Sequence, residues 1–132
     1  MDQGSLVIEQ IDEGAIFLAE FARKYPVRVA YWMKPTEDAQ WYLYVVSDQI
    51  NDKNIKEAYR EVRRVDQQRM SPCFDRFRIN LLSADDANAT ATLDIRSRYP
   101  GRLPIRFNGK SFGGLPVEGV YIYPPLAEIH AS

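Results

Sequence analysis

The 132-residue chain is 45% hydrophobic and carries 17 basic against 18 acidic side chains, which suits a single globular domain with a real core. Near-neutral charge excludes a long-range pull toward nucleic acid or acidic membranes, and the lone Cys73 excludes an internal disulfide. No apolar run reaches the length of a membrane span, and the opening residues MDQGS are acidic rather than basic, so neither a membrane partner nor a signal peptide is predicted and the cytoplasm is the expected location.

The overall balance hides an asymmetry. Residues 1–52 hold 4 Lys/Arg and 9 Asp/Glu, whereas residues 53–132 hold 13 and 9. A chance distribution, a polar partner surface and a head-to-tail contact between copies all fit this split.

Leu6, Val7 and Ile8 form too short a run to assign. Ile11-Asp12-Glu13 reads as a helix start, with Asp12 as N-cap and Ile11 placed to staple onto Ile16. The spacing then predicts a helix to about Tyr25, where Pro26 stops it; Leu18, Phe21, Ala22 and Tyr25 make its apolar stripe. Arg23 and Lys24 fall in the last turn, where cations suit the helix dipole.

Residues 27–48, VRVAYWMKPTEDAQWYLYVVSD, hold both tryptophans and three of the eight tyrosines. β-branched and aromatic residues fit a pleated surface, and Lys34-Pro35-Thr36-Glu37-Asp38 fits a turn, so an antiparallel hairpin is expected. Alternation places Val27, Val29, Tyr31 and Met33 on one face of the first strand, and Arg28, Ala30, Trp32 and Lys34 on the other. In the second strand Trp41, Leu43 and Val45 oppose Tyr42, Tyr44 and Val46. Neither face reads as solvent, so each side of the ribbon needs a cover.

Residues 51–69 give the clearest helix, with Asn54 and Glu57 spaced as a reciprocal cap. Ile55, Ala58, Tyr59, Val62 and Val65 form the apolar stripe; Lys56, Arg60, Arg63 and Arg64, with Glu57 and Glu61, form the charged face. Ser71-Pro72 ends it, and Phe74 to Leu82 alternates as a third strand. Ser83 followed by Asp86 opens an expected third helix to about Arg98, with Ala84, Ala87, Ala91 and Ile95 inward. Ile105-Arg106-Phe107 then reads as a short strand entering a turn at Asn108-Gly109. Ser111 to Pro116 reads as loop, and Val117 to Tyr123 as a last strand closed by Pro124-Pro125.

The expected architecture is therefore one α+β domain over residues 1–132. It has a mixed, mostly antiparallel sheet of four or five strands and about three helices, in the order α-β-β-α-β-α-β-β.

No motif for a cofactor or a resident metal is present. The foremost candidate binding surface combines Arg28, Trp32, Lys34, Tyr42, Tyr44, Phe74, Arg76 and Arg78, because rings flanked by guanidinium groups suit single-stranded nucleic acid. The competing reading puts the rings beneath a helix. Arg60, Arg63 and Arg64 form a second patch able to meet phosphates, against which stands pairing of Arg60 with Glu57 and of Arg64 with Glu61.

The acids Glu37, Asp38, Asp48, Asp75, Asp85 and Asp86 are the raw material for a metal-dependent hydrolase, although turn and cap chemistry accounts for most of them. A Cys73–His130 dyad would join Cys73 to a histidine near the end of the chain, where residues are often poorly ordered. Gly109-Lys110-Ser111 lacks the earlier glycine and the following helix of a phosphate-binding loop.

The first expectation for function is a non-enzymatic protein-interaction or accessory domain that self-associates as a homo-oligomer or binds a protein partner. Single-stranded nucleic acid binding is the alternative, and metal-dependent hydrolysis the third reading.

Overall fold

A computed structural model describes residues 8–35, 40–69, 79–83, 86, 89, 90, 92, 94, 105–112 and 115–123. Helix α1 (Ile8–Phe21) begins earlier than the Asp12 cap predicted, so Asp12 and Glu13 lie inside it. Ile16, expected to staple onto Ile11, stands exposed. The end is closer to expectation. The Arg23 amide donates to Glu20 O and that of Lys24 to Phe21 O, tightening the last turn, and the Tyr25 amide also reaches Phe21 O before Pro26. Phe17, Phe21 and Tyr25 stack at i, i+4 spacing with ring centroids 5.5 Å apart.

The aromatic ribbon forms β1 (Val29–Pro35) and β2 (Tyr42–Ser47), paired antiparallel; of the turn expected over residues 34–38, Lys34 and Pro35 instead continue β1 through their pairing with β5 (Leu115–Ile122), and residues 36–38 lie outside the described residues. The register sets Trp32 opposite Leu43 and Tyr31 opposite Tyr44. Helix α2 (Ile55–Arg69) follows. Its start is capped upstream rather than by Glu57. Asn54 Oδ1 accepts from the Asn51 amide at 2.8 Å, Asn54 Nδ2 donates to Gln49 O at 2.6 Å, and Asn51 Oδ1 accepts from the Lys53 amide at 2.8 Å.

Strand β3 (Ile79–Ser83) lies parallel to β2, which gives the sheet its mixed character. Of the expected third helix, Ala89, Thr90, Thr92 and Asp94 are helical; Ala84, Ala87, Ala91, Ile95 and the end at Arg98 lie outside the described residues. Asp86, three residues after the predicted cap Ser83, acts as the cap. Its carbonyl accepts from the Thr90 amide at 2.8 Å and its carboxylate from the Ala89 amide at 3.4 Å.

Strands β4 (Ile105–Phe112) and β5 (Leu115–Ile122) pair antiparallel, with Phe112 opposite Leu115. The turn expected at Asn108-Gly109 is therefore strand, and so is most of the loop expected from Ser111 to Pro116. Continuous pairing with β5 overrides the local turn preference of Asn-Gly.

The five strands lie in the order β3-β2-β1-β5-β4, so the α+β class and the mixed, mostly antiparallel sheet are as expected. On one face Phe17, Leu18 and Phe21 of α1 and Ala58, Val62 and Val65 of α2 meet Ala30, Trp32, Leu43, Val45, Ile79, Leu81 and Tyr123. On the other face Val29, Tyr31, Met33, Val46, Val120 and Ile122 form a second core, with Ala89 from the helical residues packed into it. Both sides of the ribbon are thus shielded, the outcome demanded by apolar alternation on each face. Burying a large aromatic or aliphatic side chain contributes roughly 1.5–3 kcal/mol, so each buried ring and branched side chain of the doubly covered ribbon stabilises the sheet.

One hydrogen-bonded relay fastens α1 to the sheet. Trp32 Nε1 donates to Tyr123 Oη at 2.8 Å, and Tyr123 Oη donates to Ile11 O at 2.6 Å. The indole and phenol polar atoms therefore enter the core with partners, which removes the desolvation cost of leaving them bare. Helix α1 can come this close because residue 14 is glycine; a Cβ there would overlap Tyr123 Oη and lie 3.3 Å from the Trp32 ring.

Candidate functional site

The structure divides the residues expected to form a basic aromatic face. Trp32 is buried beneath α1, on the same side as Leu43 and Val45. Tyr44 lies on the opposite side, half-buried and stacked on Tyr31 at 5.1 Å. Tyr42, opposite Met33 in the register, shares that second side and is also half-buried. Arg28 is exposed and donates to Asp48 Oδ1 at 3.0 Å, while Lys34 is half-buried. Phe74, Arg76 and Arg78 lie outside the described residues. Stacking platform and cations are therefore not brought together on one surface among the described residues.

The cause is strand phase. Alternation fixes which residues of one strand share a face, but pairing register alone decides which face of the neighbouring strand joins them. Trp32 goes with Leu43, not with Tyr42 or Tyr44.

Of the acidic candidates, Asp48 and Asp86 are described, and each has a structural partner. Asp48 is engaged by Arg28, Asp86 caps the helical residues, and Glu37, Asp38, Asp75 and Asp85 lie outside the described residues, as do Cys73 and His130. Among the described residues no group of three or more His, Cys, Asp or Glu gathers to hold a metal ion. Gly109-Lys110-Ser111 lies within β4, paired with β5, rather than in a loop leading to a helix.

What the helices do assemble is a charged cleft of about 540 Å³ between the end of α1 and the flank of α2, lined by Glu20, Arg23, Lys24, Glu61, Arg64 and Gln68. Its geometry follows from two helical phases. Arg23 and Lys24 sit just past the last turn of α1, and Glu61, Arg64 and Gln68 recur at i, i+3, i+7 along α2.

Glu61 is the anomalous member, its side chain only 3% exposed. A bare carboxylate in that setting would be costly, and Arg64 supplies its partner with both ends of its fork. Arg64 Nε donates to Glu61 Oε1 at 2.8 Å, and Arg64 Nη2 to Oε2. These hydrogen bonds hold the Glu61 carboxyl below its ordinary value despite burial, with a smaller contribution from the charge of Lys24. The second pair, Arg23 with Glu20, is looser at 3.6 Å and mostly in water. Lys24 has no carboxylate partner among the described residues; its ammonium lies 6.0 Å from the centroid of the Tyr25 ring.

Sequence reading placed Glu61 on the charged outer face of α2. Its helical angle gives the correction, because Glu61 falls within about 60° of both Ala58 and Val65 on the buried side. Arg64 pairs with Glu61 as expected, while Arg60 and Arg63 stand exposed.

The remaining polar burial is structural. Burial pushes the Tyr31 and Tyr123 phenols well above the ordinary phenol range, and at Tyr123 the hydrogen bond from Trp32 pulls the other way. Tyr59, on the rim of α2, accepts a hydrogen bond from the Leu81 amide at 3.0 Å through its hydroxyl and so occupies the outward side of strand β3.

No protein-family model matches the chain, and no curated protein or solved structure matches it. Among the described residues no helix is long and apolar enough to cross a membrane.

Proposed function

We propose that this chain is a non-enzymatic interaction domain that associates with a second copy of itself along strand β4. The observation that carries the reading is the unequal treatment of the two sheet edges. At β3 the Tyr59 hydroxyl takes the Leu81 amide, and the neighbouring α2 leans over the strand. At the other end, β4 runs eight residues as the terminal strand of the sheet among the described residues. A terminal strand presents a row of backbone donors and acceptors, a template for another strand.

Both faces of the aromatic ribbon are occupied inside the molecule, which favours the sheet edge over the ribbon faces as the route to a partner. Antiparallel pairing of β4 with its symmetry mate makes a self-complementary contact of the kind a twofold dimer requires.

Sedimentation equilibrium from low to high micromolar concentration tests the proposal, with a mass rising toward twice that of the chain as the expected result. Asn108→Pro and Gly109→Pro probe the edge directly. Successive residues of a strand direct their amides to opposite sides, so one of these two substitutions removes an outward donor and lowers the dimer fraction. A strict monomer across the whole range refutes the reading.

A further inference from the structure

We infer that the cleft between α1 and α2 is a binding site for a phosphate group, held by Arg23, Lys24 and Arg64. Three cations converge there on a polar cleft of about 540 Å³, within the range of small-molecule sites and far larger than one phosphate requires. The group bound is therefore the anionic end of a larger phosphorylated molecule.

Charge accounting favours an anion. The lining holds three cations against two carboxylates, and both carboxylates already face an arginine. The positive charge left over resides at Lys24, whose position beside Glu61 is felt by that carboxyl. The negative end of the α1 dipole is the main opposing term. It is blunted because Leu18 O, Glu20 O and Phe21 O already accept amides of the closing turn.

Glu61 is a positioning residue in this arrangement. A buried carboxylate that grips Nε and Nη2 fixes the plane of the Arg64 guanidinium and leaves its remaining N–H groups, on a half-exposed side chain, to face the cleft. Arg23 reaches from the other wall on a loose, solvated contact with Glu20 that an incoming oxyanion can replace. A tetrahedral phosphate offers oxygens in several directions at once and suits donors on two helices. A planar carboxylate suits one fork, and Arg64 has already spent its best edge on Glu61.

The test is a titration of the full chain with inorganic phosphate at fixed ionic strength, followed by amide chemical shifts, with acetate and chloride as parallel arms. Saturable shifts confined to residues 20–24 and 61–68, seen with phosphate and absent with the other two anions, are expected. Lys24→Gln, a change at an exposed side chain, is expected to weaken phosphate binding about tenfold, the worth of one charge-assisted hydrogen bond. Glu61→Gln releases the guanidinium while keeping its volume, and phosphate affinity is expected to fall although a negative charge has been removed. Shifts of equal size with chloride, or unchanged affinity in Lys24→Gln, overturn the assignment. A gain of affinity in Glu61→Gln overturns the positioning role.

Discussion

Replacing Gly14 with alanine tests the packing of α1 on the sheet most sharply. At an exposed position within a helix the exchange stabilises by roughly 1 kcal/mol, because glycine carries excess backbone freedom. Here the sign should reverse. The new Cβ would overlap Tyr123 Oη and crowd the Trp32 ring at 3.3–3.4 Å. The phenol cannot step aside cheaply. Tyr123 is 3% exposed, its hydroxyl is fixed at 2.8 Å from Trp32 Nε1 and 2.6 Å from Ile11 O, and its ring has only two torsions. Either α1 lifts from the sheet or the relay breaks. Overpacking costs about 1–3 kcal/mol, and breaking the relay adds about 1–3 kcal/mol for the orphaned donor, so a net loss of about 1–5 kcal/mol is expected after the helix-propensity gain of about 1 kcal/mol.

Urea unfolding monitored by tryptophan emission measures this, since Trp32 sits at the contact. A second variant separates the clash from any general effect on the helix. Tyr123→Phe alone should destabilise by about 1–3 kcal/mol by stranding the Trp32 N–H. In the double variant, however, the overlapping oxygen is gone, so the two costs should add to less than their sum by at least about 1 kcal/mol. A neutral or stabilising Gly14→Ala, or strict additivity with Tyr123→Phe, would refute the reasoning.

The other predictions follow from polar contacts. Tyr59→Phe removes the acceptor for the Leu81 amide at a rim position, so a loss of about 0.5–1 kcal/mol and faster hydrogen exchange at Leu81 are expected. Glu61, with its carboxyl held below the ordinary value chiefly by the hydrogen bonds from Arg64, contributes stability that is fully present above the unfolded glutamate value. That contribution is lost as the pH falls through the lower folded value, and Glu61→Gln should flatten this part of the acid unfolding profile. Arg28→Ala should change stability by less than about 1 kcal/mol, because the 3.0 Å pair with Asp48 is more than half exposed on both sides; thermal unfolding at low and high salt checks it.

The chain's own pattern determined the ribbon, both main helices and the α+β class. These depend on local periodicity, and each is a run long enough to display it. Apolar residues on both sides of residues 29–46 already required two covers, and α1 with α2 on one side and Ala89 on the other provide them. Boundaries were less legible. Asp12 and Asn108-Gly109 carry cap and turn chemistry that the surrounding elements override, because hydrogen bonds along a continuing helix or hairpin outweigh the preference of one or two residues.

The composition of the surface was decided only in three dimensions. Phase between strands is a property of pairing, so nothing in either strand separated Trp32 from Tyr42 and Tyr44. Juxtaposition of the α1 end with the flank of α2 likewise depends on how two helices cross on a sheet. That crossing buried Glu61, oriented Arg64 and opened the cleft containing Lys24. Periodicity could place Glu61 between Ala58 and Val65 and within reach of Arg64; only packing could say that Lys24 at the end of α1 would meet that pair.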